Sequence, residues 1–236
     1  MYQRDYMLRL IEQMTEALAT RLLHLRKQNK HEEAMLWIDE QLLKLFLPKS
    51  RLLLSVSEEH CRKVMSVNGV PEADKMYAAA LLLQHQADLY GDTGQLDNQY
   101  EAWRKSLYLF LSAAEEGYNP SGITVQSIRE LAETLKRSGI ALPAATDTML
   151  FHYFVRNDRY DAAEDVLYRL PGKGAENWYS LGMNFYSQLS GYTDAQLLKG
   201  NLAREEVDAG QREWIQTYQH TNAPLEAHRH LREDEE

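Results

Sequence analysis

Residues 87–107 read ADLYGDTGQLDNQYEAWRKSL, and this stretch predicts two helices that fold back on each other. The turn GDTG separates two helix-forming segments, because glycines among polar residues mark a turn rather than a helix interior. The first segment predicts a helix over 72–90, and the second predicts a helix over 95–116. Two antiparallel helices joined by a short turn form a hairpin. The stretch therefore indicates an all-α fold.

The N-terminal third repeats this pattern, with apolar residues three or four positions apart along one helix face. It predicts a helix from the chain start to Gln28 and a second helix over 34–45, which Pro48 helps to stop. Ser55 and Glu58 have capping-box spacing, so a short helix is predicted from there through Val67.

The C-terminal half predicts further helices over 125–137, 146–156, 160–170 and 178–189. Thr193 and Gln196 have the spacing of a capping box and predict the start of a last helix. No alternation of apolar and polar residues is long enough for a sheet. We expect one all-α domain of stacked helical hairpins over 1–236, with a frayed end at about 220–236.

Composition and charge exclude several classes of protein. The chain has 236 residues and a formal net charge of −9, which disfavours nucleic acid or an anionic membrane as the partner. The longest apolar run, Ala78–Leu83, is far too short to span a membrane. The single cysteine, Cys61, cannot form an intramolecular disulfide, which is typical of a reducing compartment, so we expect a cytoplasmic protein.

Self-similarity along the chain aligns Ala34, Gln99 and Ala163 at the start of the second helix of successive hairpins. The segment 87–107 resembles a tetratricopeptide repeat through Ala87, Tyr90, Gly94, Trp103, Ser106 and Leu107. Parts of two more such repeats are carried by Tyr160 and Ala163, and by Trp178, Leu181, Gly182 and Phe185. Gln99 departs from the motif, which has a small residue there so that the two helix backbones can approach closely. The opening YQRDYMLRLIEQM is also similar to the start of a family of uncharacterised bacterial proteins with a helical-repeat body.

The tetratricopeptide resemblance implies a superhelix of stacked hairpins whose concave surface binds a protein or peptide. It places the groove-facing residues on the first helix of each hairpin. In this sequence they are Arg26, Lys27, Gln84, Asp88, His152, Arg156, Tyr179, Met183 and Tyr186. Arginine, lysine and histidine donors beside aromatic side chains predict an acidic-aromatic peptide or a C-terminal tail as the ligand.

The sequence nominates no catalytic residues, no metal site and no cofactor. His85 with Asp88, and Glu226 with His230, each lie one helical turn apart and could supply two metal ligands. The segment LPGKGAEN, residues 170–177, lacks the spacing of a phosphate-binding loop. We therefore expect a non-enzymatic protein-binding module. The alternative is an all-α enzyme that uses histidine and carboxylate side chains, and the oligomeric state and the partner's identity stay open.

Overall fold

The computed structural model describes residues 2–118, 125–171 and 177–218. Within these residues the protein is all-α, as predicted, apart from one two-residue ladder between β1 (Ser66–Val67) and β2 (Val70–Pro71). The chain folds into two compact units, an N-terminal unit over Met1–Leu142 and a C-terminal unit over Pro143–Glu236. A single domain over 1–236 stays a prediction. Among the described residues, no helix combines the length and apolar character needed to cross a membrane.

The N-terminal unit begins with one continuous helical run, in which a π-helical segment, Leu18–Leu22, joins two α-helices. Its helices are α1 (Tyr2–Ala17), α2 (Leu23–Lys27), α3 (His31–Lys44), α4 (Ser50–Ser55), α5 (Glu58–Val64), α6 (Ala73–Asp92), α7 (Leu96–Glu115) and α8 (Val125–Arg137). The C-terminal unit contains α9 (Ala144–Arg156), α10 (Tyr160–Leu167), α11 (Trp178–Ser190), α12 (Asp194–Lys199) and α13 (Arg204–Tyr218).

Helix α6 is the centre of the N-terminal unit. Its buried residues point in all directions around the helix axis: Met76, Tyr77, Ala78, Ala79, Ala80, Leu82, Leu83, Gln86, Ala87 and Leu89. Helices α1, α3 and α7 pack against α6, and α5 and α8 pack against α7. The alanines allow a close approach, and Ser106 of α7 donates a 2.8 Å hydrogen bond to the carbonyl oxygen of Ala80. The hairpin predicted from residues 87–107 thus forms the core of this unit.

A chain of hydrogen bonds that is buried at Gln86 and Ser50 ties α3 and α4 to α6. Gln86 donates to the hydroxyl oxygen of Ser50 at 2.8 Å, and Ser50 donates from its hydroxyl and its backbone N–H to Asp39 Oδ1 at 2.7 and 2.9 Å. Because a buried polar group that lacks a partner is destabilising, this chain fixes the position of α3 on α6. The face of α3 that packs inward carries Ala34, Trp37, Ile38, Gln41 and Leu42.

One predicted helix start and the length of another predicted helix were wrong. Ser55 ends α4 and donates to the carbonyl oxygen of Leu52, whereas Ser57 caps α5 by accepting from the His60 N–H. Helix α4 has only six residues, too few to show a helical period. The predicted last helix is two helices: the capping box of Thr193 and Gln196 is confirmed, but it starts the short α12. Gly200 ends α12, and its carbonyl oxygen accepts the backbone N–H groups of Tyr160 and Asp161 at the start of α10.

The C-terminal unit is built from two close helix pairs. Helix α9 packs on α10, where Tyr160, Ala163 and Leu167 are buried, as their repeat-like pattern predicts. Helix α11 packs on α13, and Gly182 lies directly against the indole of the fully buried Trp214. Trp214 Nε1 donates to the carbonyl oxygen of Tyr179, which fixes the ring in this position.

We expect Gly182→Ala to lower the free energy of unfolding by about 1–3 kcal/mol, because the added Cβ overlaps a ring that is held on all sides. Gly191→Ala is the matched control at the end of the same helix, where a Cβ would lie 3.4 Å from its nearest neighbour, the Gln188 carbonyl oxygen. It should change stability by less than about 0.5 kcal/mol. Urea unfolding of both variants measures the difference, and equal stabilities would contradict the packing of α11 on α13.

Candidate functional site

The outer surface of α3 displays large apolar side chains to solvent. Leu36 is 62% exposed, Leu43 is 51% exposed, and Phe46, in the turn after the helix, is 77% exposed. Leu36 and Leu43 are seven residues apart, so they lie on one side of the helix at a spacing of about 10.5 Å. We call Leu36, Leu43 and Phe46 the α3 ridge. Helix α3 packs inward through the opposite face, which explains why the ridge stays outside the core.

Phe46 occupies a backbone position that normally favours glycine. Helix α3 ends in a Schellman motif, in which Leu47 N–H donates to the Leu42 carbonyl oxygen and Phe46 N–H donates to the Leu43 carbonyl oxygen. The motif places Phe46 in the left-handed region, with φ +59°. A bulky residue there is strained. Its ring gains little burial in return, and the Lys75 ammonium lies 5.9 Å from the ring centroid.

Carboxylates surround the first leucine of the ridge. The helix-surface neighbours of Leu36, three and four residues away in each direction, are Glu32, Glu33, Asp39 and Glu40. We call these four residues the acidic frame. Glu33 pairs with Lys30 at 3.1 Å, and Asp39 is committed to Ser50. Glu32 and Glu40 are exposed and pair with no cation among the residues that the structure describes.

Arg26 lies in a separate cluster of charges on α2 and α6. Its guanidinium binds Asp92 in a bidentate manner, at 2.7 and 2.9 Å, and lies 3.4 Å from Asp88 Oδ2. The hydrogen bond from Arg26 lowers the pKa of Asp92, whereas burial raises the pKa of Asp88. A shallow depression of about 520 Å³ adjoins this cluster; it is lined by Leu23, Arg26, Lys27, Asn29, His31 and Asp92.

The predicted groove residues of the N-terminal unit therefore differ in how accessible they are to a ligand. Lys27 is exposed at the depression, and Gln84 is half-buried on α6. The guanidinium of Arg26 is held by carboxylates from α6, so a ligand carboxylate would have to compete with Asp92 for it. Asp88 forms an ion pair with the same guanidinium and is therefore also engaged within the protein. As a group, these residues remain a prediction of a ligand site.

In the C-terminal unit, His152 and Arg156 are exposed on α9, and Tyr179 and Met183 are half-buried on α11. The rings of Phe151 and Phe185 lie 5.4 Å apart, so α9 and α11 are neighbours beneath these side chains. Arg156 donates to the carbonyl oxygen of His152. These four residues remain a predicted ligand surface, which we call the α9–α11 surface.

Tyr186 does not belong to that surface, which corrects its predicted role. Its side chain is fully buried, and its hydroxyl donates to Glu164 Oε1 at 2.7 Å and lies 3.4 Å from the Tyr168 hydroxyl. Gly210 of α13 lies against the same pair, since a Cβ there would sit 2.6 Å from Glu164 Oε1. Tyr186 therefore links α10, α11 and α13 internally.

Glu164 is a partly buried carboxylate whose pKa depends on several neighbours. Burial raises its pKa, the hydrogen bond from Tyr186 opposes that effect, and the negative charges of Glu206, Asp165 and Glu213 raise the pKa further. Burial and the hydrogen bonds also raise the pKa of the Tyr186 phenol. This cluster is structural in its geometry, because its members form hydrogen bonds between α10 and α11 and pack against Gly210 of α13.

No group of three or more histidine, cysteine or acidic side chains suited to a metal ion occurs in the described part of the chain. His85 Nδ1 lies 3.9 Å from Asp88 Oδ2, and burial lowers the pKa of His85. The other pair predicted as two ligands, Glu226 with His230, lies outside the described residues.

Comparison with known proteins places the chain in a family. Residues 1–219 match the family described as "Family of unknown function (DUF6483)", and the chain belongs to that family. The comparisons with curated proteins and with solved structures found no match.

Glu164→Gln should raise the free energy of unfolding at neutral pH. A raised pKa in the folded state means that folding favours the neutral carboxyl. The contribution of Glu164 to stability is therefore full below the ordinary glutamate pKa and is lost as the pH rises through the raised value. Glutamine stays neutral and can still accept the hydrogen bond from Tyr186. Urea unfolding of wild type and variant at neutral and acidic pH checks this.

The advantage of Glu164→Gln should disappear below the ordinary glutamate pKa. Glu205→Gln, at an exposed position of α13, is the matched control for the removal of one negative charge and should not raise the free energy of unfolding. A Glu164→Gln protein that is less stable than wild type at neutral pH would contradict the assignment.

At position 46, glycine should be more stable than alanine by about 1 kcal/mol, because alanine keeps the unfavourable left-handed backbone and glycine relieves it. At position 43, which lies inside the helix, alanine should instead be more stable than glycine by about 1 kcal/mol. Thermal or urea unfolding of Phe46→Gly, Phe46→Ala, Leu43→Gly and Leu43→Ala measures both differences. The same order at both positions would mean that Phe46 is not in the left-handed region.

Proposed function

We propose that the chain is a non-enzymatic protein-binding module whose docking site is the α3 ridge. The observation that carries this proposal is the exposure of Leu36 and Leu43 along one side of α3 and of Phe46 in the turn that follows it. Single exposed apolar residues are ordinary, but neighbouring ones mark protein interaction sites in soluble proteins. The inner face of α3 already packs on α6, so the ridge is not needed for the core.

The strain at Phe46 supports the same proposal. A glycine would end α3 through the same Schellman hydrogen bonds without a penalty. A phenylalanine that is 77% exposed adds little to folding but presents a large, rigid apolar surface. Phenylalanine is enriched at the buried centres of protein interfaces relative to the rest of the protein surface. Phe46 therefore has a clearer role in recognition than in stability.

The scaffold that we propose is tetratricopeptide-like. The hairpin of α6 and α7 and the hairpin of α9 and α10 carry the motif residues, and Ala163 is buried where the motif requires a small residue. We also propose a cytoplasmic protein of bacterial origin. The buried thiol of Cys61 and the similarity of the N-terminus support this.

Of the two histidine–carboxylate pairs predicted for the enzyme alternative, His85 with Asp88 lies in the described part of the chain. His85 Nδ1 lies 3.9 Å from Asp88 Oδ2, beyond hydrogen-bond distance, and Asp88 instead faces the Arg26 guanidinium. This arrangement resembles an ion-pair network between helices more than an acid–base pair. The geometry thus favours binding over catalysis.

The test is affinity purification from native cells with the wild-type protein and its variants as baits. The affinity of each protein for the recovered partner is then measured. Because each central apolar anchor contributes about 1–2 kcal/mol or more, Leu36→Ala/Leu43→Ala should weaken binding at least about tenfold. Leu96→Ala, at a leucine that is 52% exposed on α7, is the control and should bind like wild type. Wild type, Leu36→Ala/Leu43→Ala and Leu96→Ala should all unfold at similar urea concentrations.

Arg156→Glu tests the α9–α11 surface in the same assay. We expect it to leave the affinity unchanged if the partner docks on the α3 ridge. If Arg156→Glu abolishes binding while Leu36→Ala/Leu43→Ala does not, the partner uses the α9–α11 surface and the assignment of α3 is wrong.

A further inference from the structure

We infer that the partner segment that docks on the α3 ridge is a basic amphipathic helix. This inference rests on the proposed function and specifies the chemistry of the partner. Three features of the ridge lead to it: the sign of its charges, the spacing of its leucines and the position of its one aromatic residue.

The charges around Leu36 in the ridge are mostly negative. Helix α3 carries four carboxylates, the acidic frame, against one ammonium, that of Lys44. Glu32 and Glu40 are exposed members of the acidic frame. Within the described residues, neither of them forms an ion pair. A partner that covers Leu36 would bring its own flanking residues next to these two carboxylates. Lysine or arginine at those flanks would be attracted, and acidic residues would be repelled.

The apolar part of the ridge has helical spacing. Leu36 and Leu43 are two turns apart, and Phe46 follows one turn later at the end of the helix. An amphipathic helix presents its own apolar residues at the same spacing, so two such helices can pack along each other. The basic residues of α3 and of the following turn, Lys44 and Lys49, lie near the Phe46 end. The partner's positive charges should therefore lie opposite Leu36, and its apolar end should lie opposite Phe46.

A second copy of this chain fits the ridge less well. In a symmetric dimer, two copies of α3 would face each other with the midpoint between Leu36 and Leu43 on the symmetry axis. Asp39 and Glu40 lie at that midpoint, so each Glu40 would meet the other across the axis. Like charges placed opposite each other at an interface are destabilising. This argues for a different protein with the opposite charge.

Synthetic peptides test the inference. The probe is a stapled helical peptide of about 14 residues, which matches the length of α3, with leucines at i, i+3, i+4 and i+7 and lysines on the flanks. A second peptide has the same leucines with glutamates in place of the lysines. A third has the composition of the lysine peptide in scrambled order. Each is labelled and titrated with wild-type protein, and fluorescence anisotropy reports binding.

The lysine peptide should bind at least about tenfold more tightly than the glutamate and scrambled peptides, with an affinity that falls as salt is added. Leu36→Ala/Leu43→Ala should weaken its binding by about tenfold. Glu32→Gln/Glu40→Gln should weaken it severalfold and reduce the salt dependence. Glu205→Gln, an exposed glutamate of the C-terminal unit, should have no effect.

Other outcomes separate this inference from the proposed function. Tighter binding of the glutamate peptide, lost in Leu36→Ala/Leu43→Ala, would overturn the partner class but leave the ridge as a docking site. If the scrambled peptide bound as tightly as the lysine peptide, or if no peptide bound, the inference would be overturned. The measurement with the recovered partner would then decide whether the ridge is a docking site. Self-association in analytical ultracentrifugation that Leu36→Ala/Leu43→Ala abolishes would identify a second copy as the occupant and would also overturn it.

Discussion

The burial of α6 on most of its circumference is the constraint on which the N-terminal unit depends. A helix with apolar residues on every side must be enclosed by other helices, because its exposed surface would otherwise be large. The small side chains Ala78, Ala79 and Ala80 let the surrounding helices approach closely. Helix α3 supplies one wall of this enclosure, and the hydrogen-bonded chain from Gln86 through Ser50 to Asp39 holds it there. The orientation of α3 is thus set by α6.

Once α3 is fixed in this way, the exposure of its outer leucines follows. The helix carries more apolar residues than one face can bury, and the inner face already includes Trp37 and Ile38. Leu36 and Leu43 then have no core position left to occupy. Phe46 adds to this surface from a backbone conformation that disfavours it. A surface that is apolar, partly strained and framed by carboxylates has properties that folding does not require, and the recognition of a basic partner that we propose would account for all three.

Much of the fold could be predicted from the sequence, because strong local signals mark its long helices. The turn GDTG and the capping box at Thr193 are such signals: the break between α6 and α7 is confirmed, although α6 continues through Asp92, and the capping box is confirmed. Helix α4 and the division between α12 and α13 were missed, since short helices show no period and Gly200 acts through a contact with Tyr160, forty residues earlier in the chain.

The site was harder to predict for a related reason. The pairing of Arg26 with Asp92 joins residues far apart in sequence, and Tyr186 is buried by Glu164 and Tyr168 rather than by its own helix. The α3 ridge did have a sequence signal: Leu36 and Leu43 fall on the face opposite Ala34 and Ile38. Apolar residues on both faces of one helix indicate either complete burial or an interface, and the sequence alone does not distinguish the two.

Hydrogen–deuterium exchange of the protein with and without its recovered partner tests the central claim most directly. If the α3 ridge is the docking site, binding should slow exchange in the backbone of α3 and of the turn that contains Phe46, because docking suppresses local opening there. Exchange in α9 and α11 should stay unchanged. Protection confined to α9 and α11, with α3 unaffected, would contradict the account.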